Sequence, residues 1–325
     1  MRCLVLGGTK FLGRYVVESI LEHGHEPTLF NRGQTNPELF PDVEKLIGDR
    51  DGGLDALAGR TFDAVVDTSG YLPRVVRATA ELLNDGTSRY NFVSSISAYA
   101  SLDEPGADEA TPLAELEDDA GEDIATHYGP LKARCEREVE AVYGDRALIL
   151  RPGLIVGPHD PTNRFAYWVT RVASGGKVLA PDVRNSPIQV IDVRDLAKWI
   201  VQSMEKGESG TYNTVGPETP ITFGELLEAC VRVAGSDAEI VWVPEEFLDE
   251  HGVEPWSDLP LWAHSKEGGG FFEVDGTKAF RTGLRTRPIE DTVSDTLEWA
   301  HSAPEAPGPL APDREADLLA TWSGR

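Results

Sequence analysis

An α/β fold, a parallel sheet doubly wound by helices and followed by a smaller C-terminal part, is what this 325-residue sequence predicts. Three observations predict it. Short apolar runs alternate with helical patterns along the first half of the chain. The first run, Leu4-Val5-Leu6, is continuous rather than alternating, as in a parallel strand covered on both faces. That run leads straight into the turn "GGTKFLG" (7–13), and a helical pattern begins near Phe11.

The elements follow in order. Val16, Val17, Ile20 and Leu21 lie three and four apart, so they share one face of the first helix, which stops near His23-Gly24. "EPTLFNRG" (26–33) reads as a second strand, "KLIGDRD" (45–51) as a third and "FDAVVDTSG" (62–70) as a fourth. "RYNFVSS" (89–95) and "RALILRPG" (146–153) supply a fifth and a sixth, with helical patterns over 75–83 and 131–142. Strands alternating with helices imply a parallel sheet wound on both faces, with ligands beyond the carboxyl ends of its strands. The expected organisation is a Rossmann-type domain over 1–165, to which 187–215 returns. A substrate-binding part and tail span 166–186 and 216–325, with a helix over 223–234 and a strand over 240–243.

Composition bounds the function. No run of 18 apolar residues spans a membrane, and the first residues form a strand rather than a charged-then-apolar leader. Cys3, Cys135 and Cys230 are far apart and without metal-like spacing, which favours a reducing cytoplasm. The seven histidines form no convincing ligand set, so no metal is expected. Formal net charge is -25, with 55 acidic residues against 30 basic ones, of which eight are lysine. Such a surface repels phosphate backbones, so neither nucleic acid nor membrane is an expected partner. It also fits a salt-adapted host. The acidic stretch 101–123 reads as a solvated cover, and the Pro/Ala-rich segment beginning near Ser302 as a linker into a short docking helix.

The polar residues gather at the strand ends. In the turn after the first strand, Gly7 suits the tight exit and Gly8 a close backbone approach to a pyrophosphate. Gly13 lets the helix pack closely on the strand, and Thr9, Lys10, Phe11 and Leu12 complete the cradle. Lys10 is compatible with a cradle if its backbone needs no positive φ. At the end of the second strand, Asn31 stands where a carboxylate would hold an adenosine ribose, with Arg32 beside it. That pairing suits a 2'-phosphate, so NADP is preferred over NAD. Asp49 and Arg50 after the third strand, Thr68 and Ser69 after the fourth and Pro152 after the sixth are further expected cofactor contacts.

Chemistry centres on "HYGPLKARCE" and "FVSSISAY". Tyr128 and Lys132 are four apart on a helix and share a face. An ammonium beside a phenol lowers the phenol's pKa from about 10, so Tyr128 can exchange a proton with a carbinol as hydride moves to or from a nicotinamide. Ser95 can donate a hydrogen bond to the substrate oxygen. In "GPHDPTNRFAYWVTR" (157–171), His159 and Arg164 join aromatic neighbours as expected substrate contacts, together with Gln189, while Asp160 or Thr162 can instead cap the following helix.

"GGTKFLG", "GDRD", "VSSISAY", "YGPLKARCE", "LRPGLIVGP", "IDVRDLA", "GTYNTVGP" and "RPIEDTVSDTLEW" together resemble the extended short-chain dehydrogenase/reductases, which include sugar-nucleotide epimerases and dehydratases. The loop is most similar to an atypical subgroup with Gly-Gly, four residues, Gly. The resemblance places Ser95, Tyr128 and Lys132 on the family's catalytic residues and implies that Lys132 also bonds the nicotinamide ribose. Departures matter as well. Dehydratases of this kind carry Thr-Asp-Glu where Ser95-Ile96-Ser97 stands. Sugar-nucleotide members place an asparagine and an arginine where Gly153 and Ile188 stand, and Val75-Val76 occupies the place of a proton-relay asparagine. The expected function is therefore NAD(P)-dependent hydride transfer at a carbinol or carbonyl of a small molecule, by a monomer or homodimer. Alternatives are a sugar-nucleotide epimerase and a non-catalytic RNA-binding relative, since this loop type also resembles chloroplast stem-loop RNA-binding proteins.

Overall fold

The computed structural model describes residues 1–117, 121–264, 269–302 and 308–324. Its first half alternates as the sequence predicts: β1 (Arg2–Leu6), α1 (Phe11–Glu22), β2 (Glu26–Asn31), β3 (Glu44–Ile47), β4 (Phe62–Asp67), α2 (Pro73–Leu83), β5 (Thr87–Val93), α3 (Ile124–Tyr143) and β6 (Ala147–Pro152). The strands end before the polar residues that follow each apolar run, so Gly48-Asp49, Thr68-Ser69 and Ser94-Ser95 sit in loops beyond the sheet.

A second run of elements follows: β7 (Leu154–Val156), α4 (Arg164–Ala173), β8 (Lys177–Pro181), β9 (Pro187–Ile188), β10 (Val190–Asp192), α5 (Val193–Lys206) and β11 (Gly210–Thr214). Then come β12 (Ile221–Thr222), α6 (Phe223–Ala234), β13 (Glu239–Val243), α7 (Glu245–Glu250), α8 (Thr277–Arg281), α9 (Ile289–Ser302) and α10 (Pro312–Ser323). The main sheet has seven strands in the order β11-β6-β5-β4-β1-β2-β3, all parallel. Its seventh strand, β11, is absent from the sequence reading because "GTYNT" has no apolar run. Tyr212, Asn213 and Thr214 are nonetheless buried, and β11 pairs with β6 in register from Gly210↔Leu148 to Thr214↔Pro152.

Helices cover both faces of this sheet. Val16 and Ile20 of α1 pack with Trp199 and Ile200 of α5 on one side; Val76 and Leu83 of α2 pack with Cys135 and Val139 of α3 on the other. A separate core gathers Phe165 and Trp168 of α4, Phe223 and Leu227 of α6 and Trp262. There β13 pairs with β8 in parallel, and α10 docks through Glu315, which accepts from Arg171 Nε at 2.7 Å and from Leu179 N at 2.9 Å. Most of the predicted linker before α10, residues 303–307, lies outside the described residues, as do 118–120 of the acidic stretch. Among the described residues no helix is long and apolar enough to cross a membrane.

The order in which strands are added reverses at β1: β2 and β3 lie to one side, β4, β5, β6 and β11 to the other. Loops leaving β1 and β4 therefore diverge at their carboxyl ends and open a crevice, which is where open α/β sheets bind ligands.

Candidate active site

The crevice is a cleft of about 810 Å³ that runs from the β1–α1 turn, past the ends of β2 and β3, to the β5–α3 and β7–α4 loops. This volume falls in the upper part of the roughly 300–1,000 Å³ range of small-molecule sites.

Its floor is the turn after β1. Gly7 and Gly8 have φ of 111° and 91°, a region that side chains with a Cβ rarely adopt. A Cβ on Gly7 would lie 2.7 Å from Thr68 Oγ1, and one on Gly8 would lie 2.6 Å from Leu29 Cδ2. The packing beneath the turn thus demands a glycine at position 8 as well. A Cβ on Gly13 would lie 2.8 Å from Gly8 N, so the glycine lets α1 press onto the turn. Lys10 has φ of -133°, ordinary extended backbone, so nothing demands a third glycine there. Phe11 carries the strain instead, at φ of 40°.

At the far end, Asn31 donates to Gly7 O and accepts from Gly33 N, both at 2.8 Å, so its amide ties β2 to the cradle. Arg32 is exposed and has no ion-pair partner among the described residues, and Asp49 is exposed at the same rim. Arg50 departs from the expected role. Its guanidinium grips Asp67, fully buried, through Nη1 at 2.7 Å and Nη2 at 2.8 Å. Asp67 also accepts from Tyr90 Oη at 2.8 Å. Arg50 lines the cleft, but its charge is committed to the sheet. Thr68 and Ser69 line it as well, their hydroxyls donating to Leu6 O.

At the end of the cleft beside β5, Ser95 accepts from Ser97 N at 3.1 Å, which fixes a tight turn. Helix α3 is capped by Asp123, which accepts from Ala125 N, and is kinked at His127. Gly129 lets it press onto the Ser95–Ser97 turn, since a Cβ there would lie 2.1 Å from Ser97 O. That close approach sets Tyr128 beside Ser95 along the cleft. Burial holds the Tyr128 phenol above its ordinary value and the neighbouring Tyr71 adds to this, whereas the nearby Ser95 hydroxyl and the charge of Arg164 act in the opposite direction.

Lys132 does not act on Tyr128 as its spacing suggests. Its Nζ donates to Gly70 O at 2.8 Å and to Val93 O at 2.6 Å, drawing the ammonium to the ends of β4 and β5. It sits 4.4 Å from the centroid of the Phe92 ring and 5.4 Å from that of Tyr71. Burial lowers its pKa to about 8. An ammonium has three donors, so one N–H remains for a ligand.

On the substrate side the predicted residues separate. Arg164, first residue of α4, lines the cleft with Pro152. His159 and Gln189 are not among its lining residues. The His159 ring lies 2.9 Å from Arg14 Nη1 and packs against Tyr15 and Trp299, while Gln189 uses both ends of its amide on Val274 N and O at 3.0 Å. The cap of α4 is Asn163, without a side-chain bond, and buried Asp160 accepts instead from Thr162 N and Oγ1. The sequence reading missed Tyr71, whose ring centroid is 6.4 Å from that of Tyr128, and Phe271, which also lines the cleft. The position of Tyr71 just past "DTSG", beyond a strand's carboxyl end, was the available signal.

The family model described as "NAD dependent epimerase/dehydratase family" matches residues 3–215. The chloroplast stem-loop binding protein of 41 kDa b from Arabidopsis thaliana is 28% identical over 269 residues, covering 76% of this chain and 67% of that protein. The ceramide reductase of Caulobacter vibrioides is 24% identical, covering 78% of each chain. The solved structure of UDP-N-acetylglucosamine 4-epimerase from Bacillus cereus superposes with a TM-score of 0.67 at 18% identity, over 94% of this chain and 99% of that one, which shows a shared fold. With the family matched over residues 3–215, from β1 through β11, this chain belongs to the NAD-dependent epimerase/dehydratase family of enzymes.

Proposed function

We propose that this protein transfers hydride at a carbinol or carbonyl carbon of a small molecule, as a reductase with NADP(H) preferred over NAD(H). The observation that carries the proposal is that the glycine cradle, Ser95, Tyr128 and Lys132 all line one cleft. The cradle and the rim residue Arg32 fit a dinucleotide, and when bound its nicotinamide supplies or accepts the hydride. Ser95 donates a hydrogen bond to the substrate oxygen and orients it toward Tyr128. Tyr128 gives its proton to that oxygen in reduction and takes it back in oxidation. Lys132 holds the ends of β4 and β5 in place and offers its remaining N–H to a ribose hydroxyl.

The cofactor preference rests on Asn31, whose amide is engaged with the loop backbone and brings no carboxylate, and on Arg32, whose guanidinium can pair with a 2'-phosphate. Calorimetry is expected to give tighter binding of NADPH than of NADH, with Arg32→Ala narrowing the gap. Equal affinities in the unmodified protein overturn the preference.

Epimerisation with transient use of the cofactor is the second reading, and the family match supports it. Net NADPH consumption with a substrate distinguishes the two. The stem-loop binding named for the Arabidopsis relative finds little support in a chain of net charge -25, and a gel-shift titration with stem-loop RNA tests that.

A further inference from the structure

Five basic side chains line the cleft: Lys10, Arg32, Arg50, Lys132 and Arg164. Arg50 is paired with Asp67, and Lys132 is tied to two backbone carbonyls. Lys10 and Arg32 belong to the cradle and the β2 end. Arg164 alone stands on the α4 side, and no carboxylate pairs with it among the described residues, although the chain holds 55 acidic residues.

Its setting is built rather than incidental. Asp160 is 3% exposed and accepts from the Thr162 hydroxyl at 2.8 Å and from Thr162 N at 2.9 Å. Thr162 Oγ1 in turn accepts from Arg164 Nε at 3.0 Å. A buried carboxylate thus orients a hydroxyl that orients a guanidinium through its Nε, while the two terminal nitrogens have no partner among the described residues. Those nitrogens form a planar fork that matches a carboxylate or a phosphate. A structural arginine in this fold looks different: Arg151 delivers Nε and Nη2 to Glu136 in the buried interior. Leu154, Ile155 and Phe271 line the same cleft and supply apolar surface.

We infer that Arg164 seats an anionic group, a carboxylate or a phosphate, of a substrate whose body is apolar. This names the substrate class for the carbinol site proposed above and rests on that reading.

The test uses calorimetry on the full chain, free and NADP⁺-loaded in parallel, with benzoate, phenyl phosphate and the neutral benzamide as probes at fixed ionic strength. At least one anion is expected to bind about tenfold or more tightly than benzamide, the typical scale of a hydrogen bond to a charged group. Which anion leads identifies carboxylate or phosphate as the recognised group. Arg164→Gln is expected to erase the advantage, Arg164→Lys to retain part of it, and neither to change NADP⁺ affinity. Anions binding no better than benzamide, or an advantage that survives in Arg164→Gln, overturn the inference. Failure of the unmodified protein to bind NADP⁺ or NADPH counts against the cofactor reading instead, and the cofactor-free titrations still decide the role of Arg164.

Discussion

Replacing Tyr128 by Phe keeps the ring beside Tyr71 and removes only the hydroxyl proposed to exchange the proton. Turnover is expected to fall about a hundred- to ten-thousand-fold, with NADPH affinity little changed. Ser95→Ala, which removes one hydrogen bond and leaves the proton path, is expected to cost less. Steady-state kinetics on any substrate found check both, and near-normal turnover in Tyr128→Phe places the chemistry elsewhere. Lys132 gives a second, independent test. Its pKa is lowered to about 8 in the folded protein against about 10.4 in an unfolded chain. Below pH 8 both states carry the proton, and folding bears the full burden of the buried charge. Between about 8 and 10.4 the unfolded state binds more protons, so stability rises with pH. Lys132→Met is expected to flatten that rise, read as the difference between the two proteins in denaturant unfolding across pH 7.5–10.5; identical pH dependences contradict it. The gathering of Ser95, Tyr128 and Lys132 in one cleft was legible because helix spacing and strand ends are local patterns. The true partners of Lys132, His159 and Gln189 were not. Gly70, Val93, Arg14 and Val274 lie far away in the chain, and a polar loop residue looks the same whether it meets ligand or backbone.

Elements with an apolar run or a 3.6-residue period were readable, and α6 was placed at its observed bounds, Phe223–Ala234. Several elements, β8, α5 and α9 among them, went unread, and two others show a physical reason. β11 is polar in sequence and becomes a strand through pairing with β6. The first turns of α3 hold Gly129 and Pro130, which weaken any local helix pattern, and they are set by the Asp123 cap and the contact with Ser97. The β3–β4 connection shows the same dependence on distant partners: "GDRD" reads as a ligand loop, yet Arg50 anchors it to Asp67 of β4. Removing one member of a buried ion pair strands the other charge. Arg50→Ala is therefore expected to destabilise the fold by about 3–5 kcal/mol in denaturant unfolding, and a loss below about 1 kcal/mol contradicts the anchor.

The whole molecule joins a strongly acidic composition to a cleft lined by Lys10, Arg32 and Arg164, which have no ion-pair partner among the described residues. That contrast favours small anionic ligands over polyanions, which meet the surface charge as a whole. Its architecture was legible as a doubly wound sheet plus a second packing centre, since alternation and composition act over many residues. The relation between them was less so, because the α4–α6–Trp262 core draws on segments more than ninety residues apart. The central claim is that the Gly7–Gly8–Gly13 cradle makes this cleft a dinucleotide site. Calorimetric titration of NADPH into the unmodified protein and into Gly13→Val, with circular dichroism to establish that the variant is folded, tests it most directly. The account predicts saturable binding by the unmodified protein and its loss in Gly13→Val, whose added Cβ would lie 2.8 Å from Gly8 N. Unchanged NADPH affinity in a folded Gly13→Val variant, or no binding of NADPH or NADH by the folded unmodified protein, would contradict it.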